Sequence, residues 1–442
     1  MKRWRLPCFA RIIFICVGAF FIVWLFLRFS PYPELDAFLR RQYSTVLYDR
    51  KGRLISIAPL DEGLKREFLP LEEIPDSVQD IFIGSEDRRF YWHPGVDPLA
   101  VVSALFQNLK AGRVVRGAST ITMQLSRIVS PRRTGFGGKI GEAFNALRLE
   151  SRLTKSRILE LWFNAIPFSF QVEGVQSASR TFFGKEAAEL TQAQACCLAL
   201  IPRRPERYNP LLNMEEAISG TMRLAESLSL GLSNEEIRRD VGMASFNPLV
   251  DRAPHFSRFV KEQLAVEAHV STGKGILLNT HTVYTSLDLS LNAFLEERIA
   301  YYLKMNSMSR LSNGAAILVD VRTGEILAYV GSRDFHDTEN SGEIDGVRVK
   351  NQPGSCLKPF LYSLAIEKGF LPNSVLPDIP MDFGAEEAYV PMNFDRRFHG
   401  PVRLRVALAS SLNVPAVYMV SRLGVNNFTD YLIRLGFLSL ES

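Results

Sequence analysis

Fourteen consecutive residues hold the densest chemistry in the chain: Gly84-Ser85-Glu86-Asp87-Arg88-Arg89-Phe90-Tyr91-Trp92-His93-Pro94-Gly95-Val96-Asp97. Two adjacent carboxylates, two arginines, a histidine and three aromatics stand here beside a Pro-Gly turn. A carboxylate set in a cleft wall can take a proton from an attacking hydroxyl or give one to a leaving oxygen. A solvated turn, with Glu86 and Asp87 paired to Arg88 and Arg89, accounts equally well for the run taken alone.

The second reactive motif is Ser355-Cys356-Leu357-Lys358, preceded by Pro353-Gly354 and followed by Pro359-Phe360. At a helix start, Ser-x-x-Lys puts hydroxyl and amine on one face, within hydrogen-bond reach. A lysine with a depressed pKa would then accept the serine proton and make Ser355 an acylating nucleophile. Ser411-Leu412-Asn413 is the Ser-x-Asn companion of such sites. The third companion, a Lys-Thr-Gly or Lys-Ser-Gly strand, does not follow Asn413. The acyl-transfer site is therefore expected to be incomplete in this chain.

Elements must position these residues. Apolar periodicity predicts helices over Ile74–Ile83 and Pro98–Leu109, with the carboxylate run as the break between them. Helical patterning continues to about Leu230. Gly117-Ala118-Ser119-Thr120 leads into a helix that carries Gln124, with Ser119 or Thr120 as a possible N-cap. Gly137 to Leu149 and Ser156 to Asn164 read as two more helices. Ser44–Ala58 predicts a hairpin, and Thr282–Asp288 an isolated strand in a less regular connector. At Gly314 the pattern switches to a buried strand, turn and strand, opening a second domain that contains a sheet.

Ile12–Leu27 is an uninterrupted apolar run, with Lys2, Arg3, Arg5 and Arg11 ahead of it and Glu34 and Asp36 behind. It predicts an uncleaved signal anchor with a cytoplasmic amino terminus and everything after Arg28 outside the membrane. At 442 residues with 47% apolar content, the chain has room for two or three domains with real cores. A net charge of +5, without a stripe of lysine or arginine interleaved with stacking aromatics, argues against nucleic acid as a partner. The five cysteines include no Cys-x-x-Cys and no zinc spacing, and read as reduced thiols.

Taken together, these motifs resemble the class A, bifunctional penicillin-binding proteins, of the 1C type. Five stretches carry the resemblance: Glu86-Asp87-Arg88-Arg89-Phe90 with His93 and Gly95; Gly117 to Gln124; Lys139 with Glu142; Ile158-Leu159-Glu160-Leu161 with Asn164; and Pro202 to Pro210. The resemblance implies a transmembrane helix, a mainly α, lysozyme-like glycosyltransferase domain, and an incomplete α/β (α+β) transpeptidase domain. The corresponding spans are 1–28 for the tip and anchor, 29–65 for a hairpin linker, 66–230 for the glycosyltransferase, 231–312 for a connector and 313–442 for the partial transpeptidase domain.

The activity implied is polymerisation of lipid II onto a growing glycan strand at the cytoplasmic membrane, alongside other wall-synthesis proteins. Glu86 matches the catalytic base, with Asp87 beside it raising its proton affinity. Lys139, Arg127 and Arg88 would hold the diphosphate. Glu142 would orient the donor or hold a divalent cation, Mg or Mn, at the diphosphate. Thr120 and Gln124 would line the sugar sites, while His93 and Asn164 would brace the cleft. Ser355 and Lys358 match the acylation pair, with Ser411 and Asn413 beside them. Gly138 stands where many members have Arg, so one diphosphate contact must come from elsewhere. A membrane-anchored muramidase and a non-catalytic scaffold are the competing functions.

Overall fold

The computed structural model describes residues 18, 21–60, 63–112, 119–131, 135–248, 251–272, 282–306, 308, 311–384 and 387–440. They fall into two compact units, residues 1–348 and 349–442. Most of the predicted anchor, and Gly117 and Ala118 of the second stretch, lie outside the described residues. Residues 21–29 are helical, with Phe21, Ile22, Phe26 and Phe29 exposed. Among the described residues no helix is long and apolar enough to cross a membrane.

In the first unit a short helix α1 (Pro33–Leu39) precedes a hairpin of β1 (Thr45–Tyr48) and β2 (Leu54–Ala58), which pair antiparallel. A two-residue strand β3 (Lys65–Arg66) follows. Then come α2 (Asp76–Glu86), α3 (Pro98–Ala111), α4 (Ile121–Val129), α5 (Phe136–Arg152) and α6 (Lys155–Phe163). Strands β4 (Pro167–Phe168) and β5 (Val172–Glu173) join β3 in a small sheet. Helices α7 (Val175–Phe183), α8 (Gln192–Leu200), α9 (Pro205–Tyr208), α10 (Met214–Ser227) and α11 (Asn234–Gly242) complete the helical body.

The middle of this body is α8. Its start is fixed by a capping box between Thr191 and Gln194, and all its residues from Ala193 to Leu200 are buried. Its alanines and cysteines are small enough for α2 and α10 to lie directly against it. Burial pushes the Cys196 and Cys197 thiols up to about 12, so both remain protonated core residues. Phe82 of α2 packs edge-on against Trp162 and Phe163 of α6, with ring centroids 6.1 and 5.3 Å apart. That contact holds the last turn of α2, and Glu86 is its final residue rather than part of the following break.

The connector is more regular than its composition implies. Besides α11 it holds α12 (Pro254–Thr272), β6 (Thr282–Tyr284) and α13 (Leu289–Met305). Pro254 begins a helix instead of interrupting one, the first turn being where a missing N–H costs nothing. β6 pairs parallel with β1, so the amino-terminal hairpin and the connector share one sheet. Leu47, Ile55, Phe256, Leu287 and Tyr329 form the core behind it.

The strand-turn-strand at Gly314 forms as β7 (Ala316–Val319) and β8 (Ile326–Val330), but only β8 is buried at its end. Ile317, Leu318 and Val319 are exposed, and among the described residues β7 pairs with β8 alone. The expected buried strand is thus an exposed apolar edge, because no further strand covers it.

The second unit holds α14 (Lys358–Glu367), β9 (Val375–Asp378), β10 (Gly400–Arg403), α15 (Leu404–Ala409), α16 (Asn413–Leu423) and α17 (Val425–Arg434). Its core gathers Leu361, Tyr362, Ala365, Leu376, Leu404 and Met419.

Asp288 ties the hairpin to α13. It caps the helix by accepting from Ser290 N at 2.9 Å and pairs with Lys51 at 2.8 Å and Arg53 at 3.0 Å. Asp288→Ala should cost about 1 kcal/mol at neutral pH, the ordinary value of an N-cap. The Lys51 ammonium holds the Asp288 pKa down to about 2, against about 3.9 in an unfolded chain. The stabilisation is therefore present above the unfolded value and lost as pH falls through the folded one. Thermal unfolding of both proteins at pH 7 and near pH 2 checks this, and the gap between them should narrow in acid.

Candidate active site

A cleft of about 640 Å³ opens between the end of α2 and the start of α4, with Glu86, Arg89, Ser119, Gln124, Arg203 and Ser227 on its walls. Glu86 is the carboxylate aimed into it. Its Oε2 accepts from Gln124 Nε2 at 2.7 Å, and its Oε1 pairs with Arg203 Nε at 2.6 Å. Gln124 Oε1 in turn accepts from the buried Trp162 indole at 3.2 Å. The tryptophan fixes which way the amide faces, so Gln124 presents a donor to Glu86.

The neighbouring carboxylate has a different fate. Asp87 is 7% exposed, and it accepts from Ile121 N at 3.0 Å and faces His93 Nε2 at 3.0 Å. Gly95 N donates to His93 Nδ1 at 3.2 Å, so the proton of the neutral ring sits on Nε2 and points at Asp87. Asp87 thus satisfies an orphan N–H at the start of α4 with a charge that suits the helix dipole. Thr120 is the N-cap, accepting from Met123 N at 3.1 Å and donating to Gly95 O at 2.5 Å. Gly95 has φ +96°, and a Cβ there would meet Glu150 Cγ at 2.9 Å and Ala146 O at 3.0 Å. Only glycine lets the turn lie this close to α5.

Asp87, His93 and Asp97 bring ligand-type atoms together. They do not suit a metal: both His93 nitrogens are used, and Asp97 is held by Arg89 at 2.8 Å and by Ala100 N at 3.0 Å. Arg88 reaches away to the Ser227 carbonyl at 2.9 Å. The arginines of the run therefore pair elsewhere, and the residue that neutralises Glu86 comes from beyond it.

Lys139 donates to Ser119 Oγ at 3.1 Å and pairs with Glu142 at 2.7 Å, so both predicted residues of α5 reach the rim of the cleft through Ser119. Arg127 is exposed in the last turn of α4. Asn164 is buried and bridges Leu69 N at 2.7 Å and Leu69 O at 2.8 Å, the bracing role expected of it.

In the second unit Ser355 is exposed on the short turn of helix Gly354–Leu357. Lys358 is buried, and its Nζ donates to Ser411 O at 2.5 Å, Ser411 Oγ at 3.1 Å and Asn413 Oδ1 at 2.7 Å. Among the described residues it makes no hydrogen bond to Ser355. The expected serine–lysine pair is thus replaced by a lysine–Ser-x-Asn cluster, in which three acceptors match the three donors of the ammonium. Burial draws the Lys358 pKa down. Asn413 N donates to Asn393 Oδ1 at 2.8 Å, and Asn393 donates to the buried Asp378 at 2.8 Å.

The sequence matches the transglycosylase family over residues 52–228 and the penicillin binding protein transpeptidase domain over residues 314–439. The chain belongs to the class A penicillin-binding proteins, of the 1C type. Penicillin-binding protein 1C of Escherichia coli (strain K12) is 35% identical over 384 residues, covering 85% of this chain and 47% of its own length. Penicillin-binding protein 2D of Bacillus subtilis (strain 168) is 31% identical over 447 residues, covering 96% of this chain and 63% of its own length. Among solved structures, penicillin-binding protein 1A from Haemophilus influenzae aligns at 18% identity with TM-score 0.46, over 90% of this chain and 63% of that one. The chain spans about half to two thirds of the length of these relatives.

For a class A penicillin-binding protein, sequence reasoning missed one cleft residue of consequence. Arg203 stands in the fifth stretch, Pro202 to Pro210, but nothing local says that its guanidinium meets Glu86. It does so because it follows the buried α8, whose end aims it across the cleft. Asn393 and Asp378, which hold the Ser-x-Asn loop, were missed for the same reason.

Because Asp87 joins two elements from a buried position, Asp87→Ala should destabilise the first unit by about 2–3 kcal/mol, the cost of stripping a charged acceptor from buried donors. Urea unfolding followed by circular dichroism measures it. A loss near zero would leave Asp87 free to be a substrate ligand.

Proposed function

We propose that this chain is a peptidoglycan glycosyltransferase that polymerises lipid II into glycan strands and releases undecaprenyl diphosphate, with its catalytic units outside the cytoplasmic membrane. The observation that carries the reading is Glu86, held in the cleft by a neutral donor on one oxygen and a cation on the other. The acceptor hydroxyl must lose a proton as it attacks the anomeric carbon, and Glu86 is the group that takes it. The leaving group is a diphosphate, whose growing charge needs cations.

Arg203 and Lys139 are the cations at hand, each now paired to a carboxylate. An arriving diphosphate competes for both, since a guanidinium binds phosphate through two parallel bonds and phosphate carries the greater charge. Its arrival would draw Arg203 off Glu86 and free the base when substrate is present. Direct attack, with the lipid diphosphate departing from the opposite face, inverts the anomeric centre.

Glu142 is the residue that would hold a divalent cation brought with the diphosphate. One carboxylate plus phosphate oxygens suits Mg, provided Lys139 swings from Glu142 to the phosphate. When bound, such an ion supplies further charge for the departing diphosphate.

A muramidase would need a second carboxylate free for the opposite face of the sugar. In the cleft Asp87 is committed to Ile121 N and His93, and Asp97 to Arg89 and Ala100 N, which favours synthesis over cleavage. A non-catalytic scaffold has no use for the Trp162–Gln124–Glu86 relay.

Glu86→Gln keeps the shape of the side chain and should lower lipid II polymerisation by about 10²–10⁴-fold without a change in unfolding temperature. Polymer formed at the wild-type rate would rule Glu86 out as the base, and shortening of finished glycan by the wild type would favour the muramidase. In the arrangement of the second unit, Ser355 is proposed not to be acylated, because its lysine is engaged elsewhere. Lys358 is held by Ser411 and Asn413 and makes no hydrogen bond to Ser355 among the described residues. A fluorescent penicillin should leave Ser355 unlabelled, and a stable adduct found there by peptide mapping would reverse that reading.

A further inference from the structure

Three arginines converge where the helical residues 21–29 meet the end of α5. Arg28 donates to the carbonyls of Ser151 at 3.1 Å and Arg152 at 2.8 Å. Arg152 reciprocates, donating to Leu27 O at 3.1 Å and to the Ser30 carbonyl. Each helix end is therefore capped by an arginine from the other. Arg148 donates to the Pro31 carbonyl and to Asn145 at 3.2 Å, lies 4.1 Å from the Tyr32 ring centroid, and is only 9% exposed. Its enclosed Nε finds no acceptor among the described residues.

The charges here do not balance. Two helix C-termini offer together about one negative charge against three positive ones. Among the described residues no carboxylate stands within ion-pair distance of Arg28, Arg148 or Arg152, whose hydrogen bonds go to carbonyls and to Asn145 and Ser30. Burial lowers the Arg152 pKa, as do Arg148 and Arg28, against the opposing pull of Asp36 and Tyr32. Repulsion this close is relieved when an anion joins it. The cluster adjoins an apolar surface, because Phe21, Ile22, Phe26 and Phe29 are exposed on the helix leading into it.

We propose that Arg28, Arg148 and Arg152 hold the phosphate of an anionic membrane lipid whose acyl chains run along the amino-terminal helix. The shared chemistry is a phosphate anion, and the flanking apolar surface selects a lipid over free phosphate. The inference rests on the reading of Ile12–Leu27 as a membrane anchor. α5 carries Lys139 and Glu142 near its first turn and Arg148 and Arg152 in its last two. A lipid bound at one end would thus set the cleft residues at the other at a fixed height above the bilayer.

Two measurements on the full chain separate the anchor from the site. Wild type and the Arg28→Gln/Arg152→Gln variant should both float with pure phosphatidylcholine vesicles, and failure of both to float would defeat the anchor reading. In detergent, short-chain phosphatidylglycerol at about ten times its Kd should raise the wild-type unfolding temperature by about 3–5 °C. Phosphatidylcholine and inorganic phosphate should leave it unchanged. The double variant, and Arg28→Gln alone should the double variant not fold, should lose most of that shift. Equal shifts from the two lipids, or a full phosphatidylglycerol shift in the variants, would overturn the site. An equal shift from inorganic phosphate would overturn its assignment to a lipid.

Discussion

A single buried carboxylate holds the geometry of the Glu86 cleft together. Asp87 receives the first backbone N–H of α4 and the Nε2 proton of His93, and so pins the start of one helix against the end of another. Once those ends are joined, Gln124, one turn into α4, must face Glu86, the last residue of α2. The turn between them can approach α5 only because Gly95 has no side chain. Lys155 closes the arrangement from outside, donating to the His93 carbonyl and to Glu150 at 2.7 Å each. The charge on Asp87 never meets substrate in this scheme; it sets the shape within which its neighbour works.

The central helix does the corresponding work for the opposite wall. α8 is built of alanines, cysteines and leucines, so neighbouring helices reach its backbone closely and the residues after it have little freedom. Arg203 leaves that rigid end and meets Glu86 across the cleft. A carboxylate resting against a cation is poorly placed to take the proton that the proposed role of Glu86 requires. The pairing makes sense in a site whose substrate brings an anion able to compete for the arginine.

The second unit shows the same logic with a different outcome. Lys358 is buried among acceptors, and the Ser-x-Asn loop is supported from behind by Asn393 and Asp378. Its serine lies outside that cluster, and in the first unit the β7 edge stays apolar and exposed. Polar positioning is thus well developed around the lysine, while the apolar strand edge has no covering strand among the described residues.

Sequence alone determined the chemical identities and the local elements: carboxylates between two helices, a hydroxyl cap before Gln124, a lysine and a glutamate one turn apart on α5, and a hairpin at Thr45–Ala58. These follow from periodicity, capping and turn chemistry, which act over a few residues. It could not tell Glu86 from Asp87 by environment, since adjacent residues share composition and differ only in direction. It read the connector as irregular because α13 takes its stability from packing on β8, and α12 from packing on β8 and β2, rather than from a clean apolar stripe. Only the tertiary structure decided that Arg203 faces Glu86, that Arg88 turns to Ser227 and that Lys358 meets Asn413. Those partners lie 117, 139 and 55 residues apart in the chain, and a guanidinium or amine finds its acceptor by where the core places it, a distance no local pattern encodes.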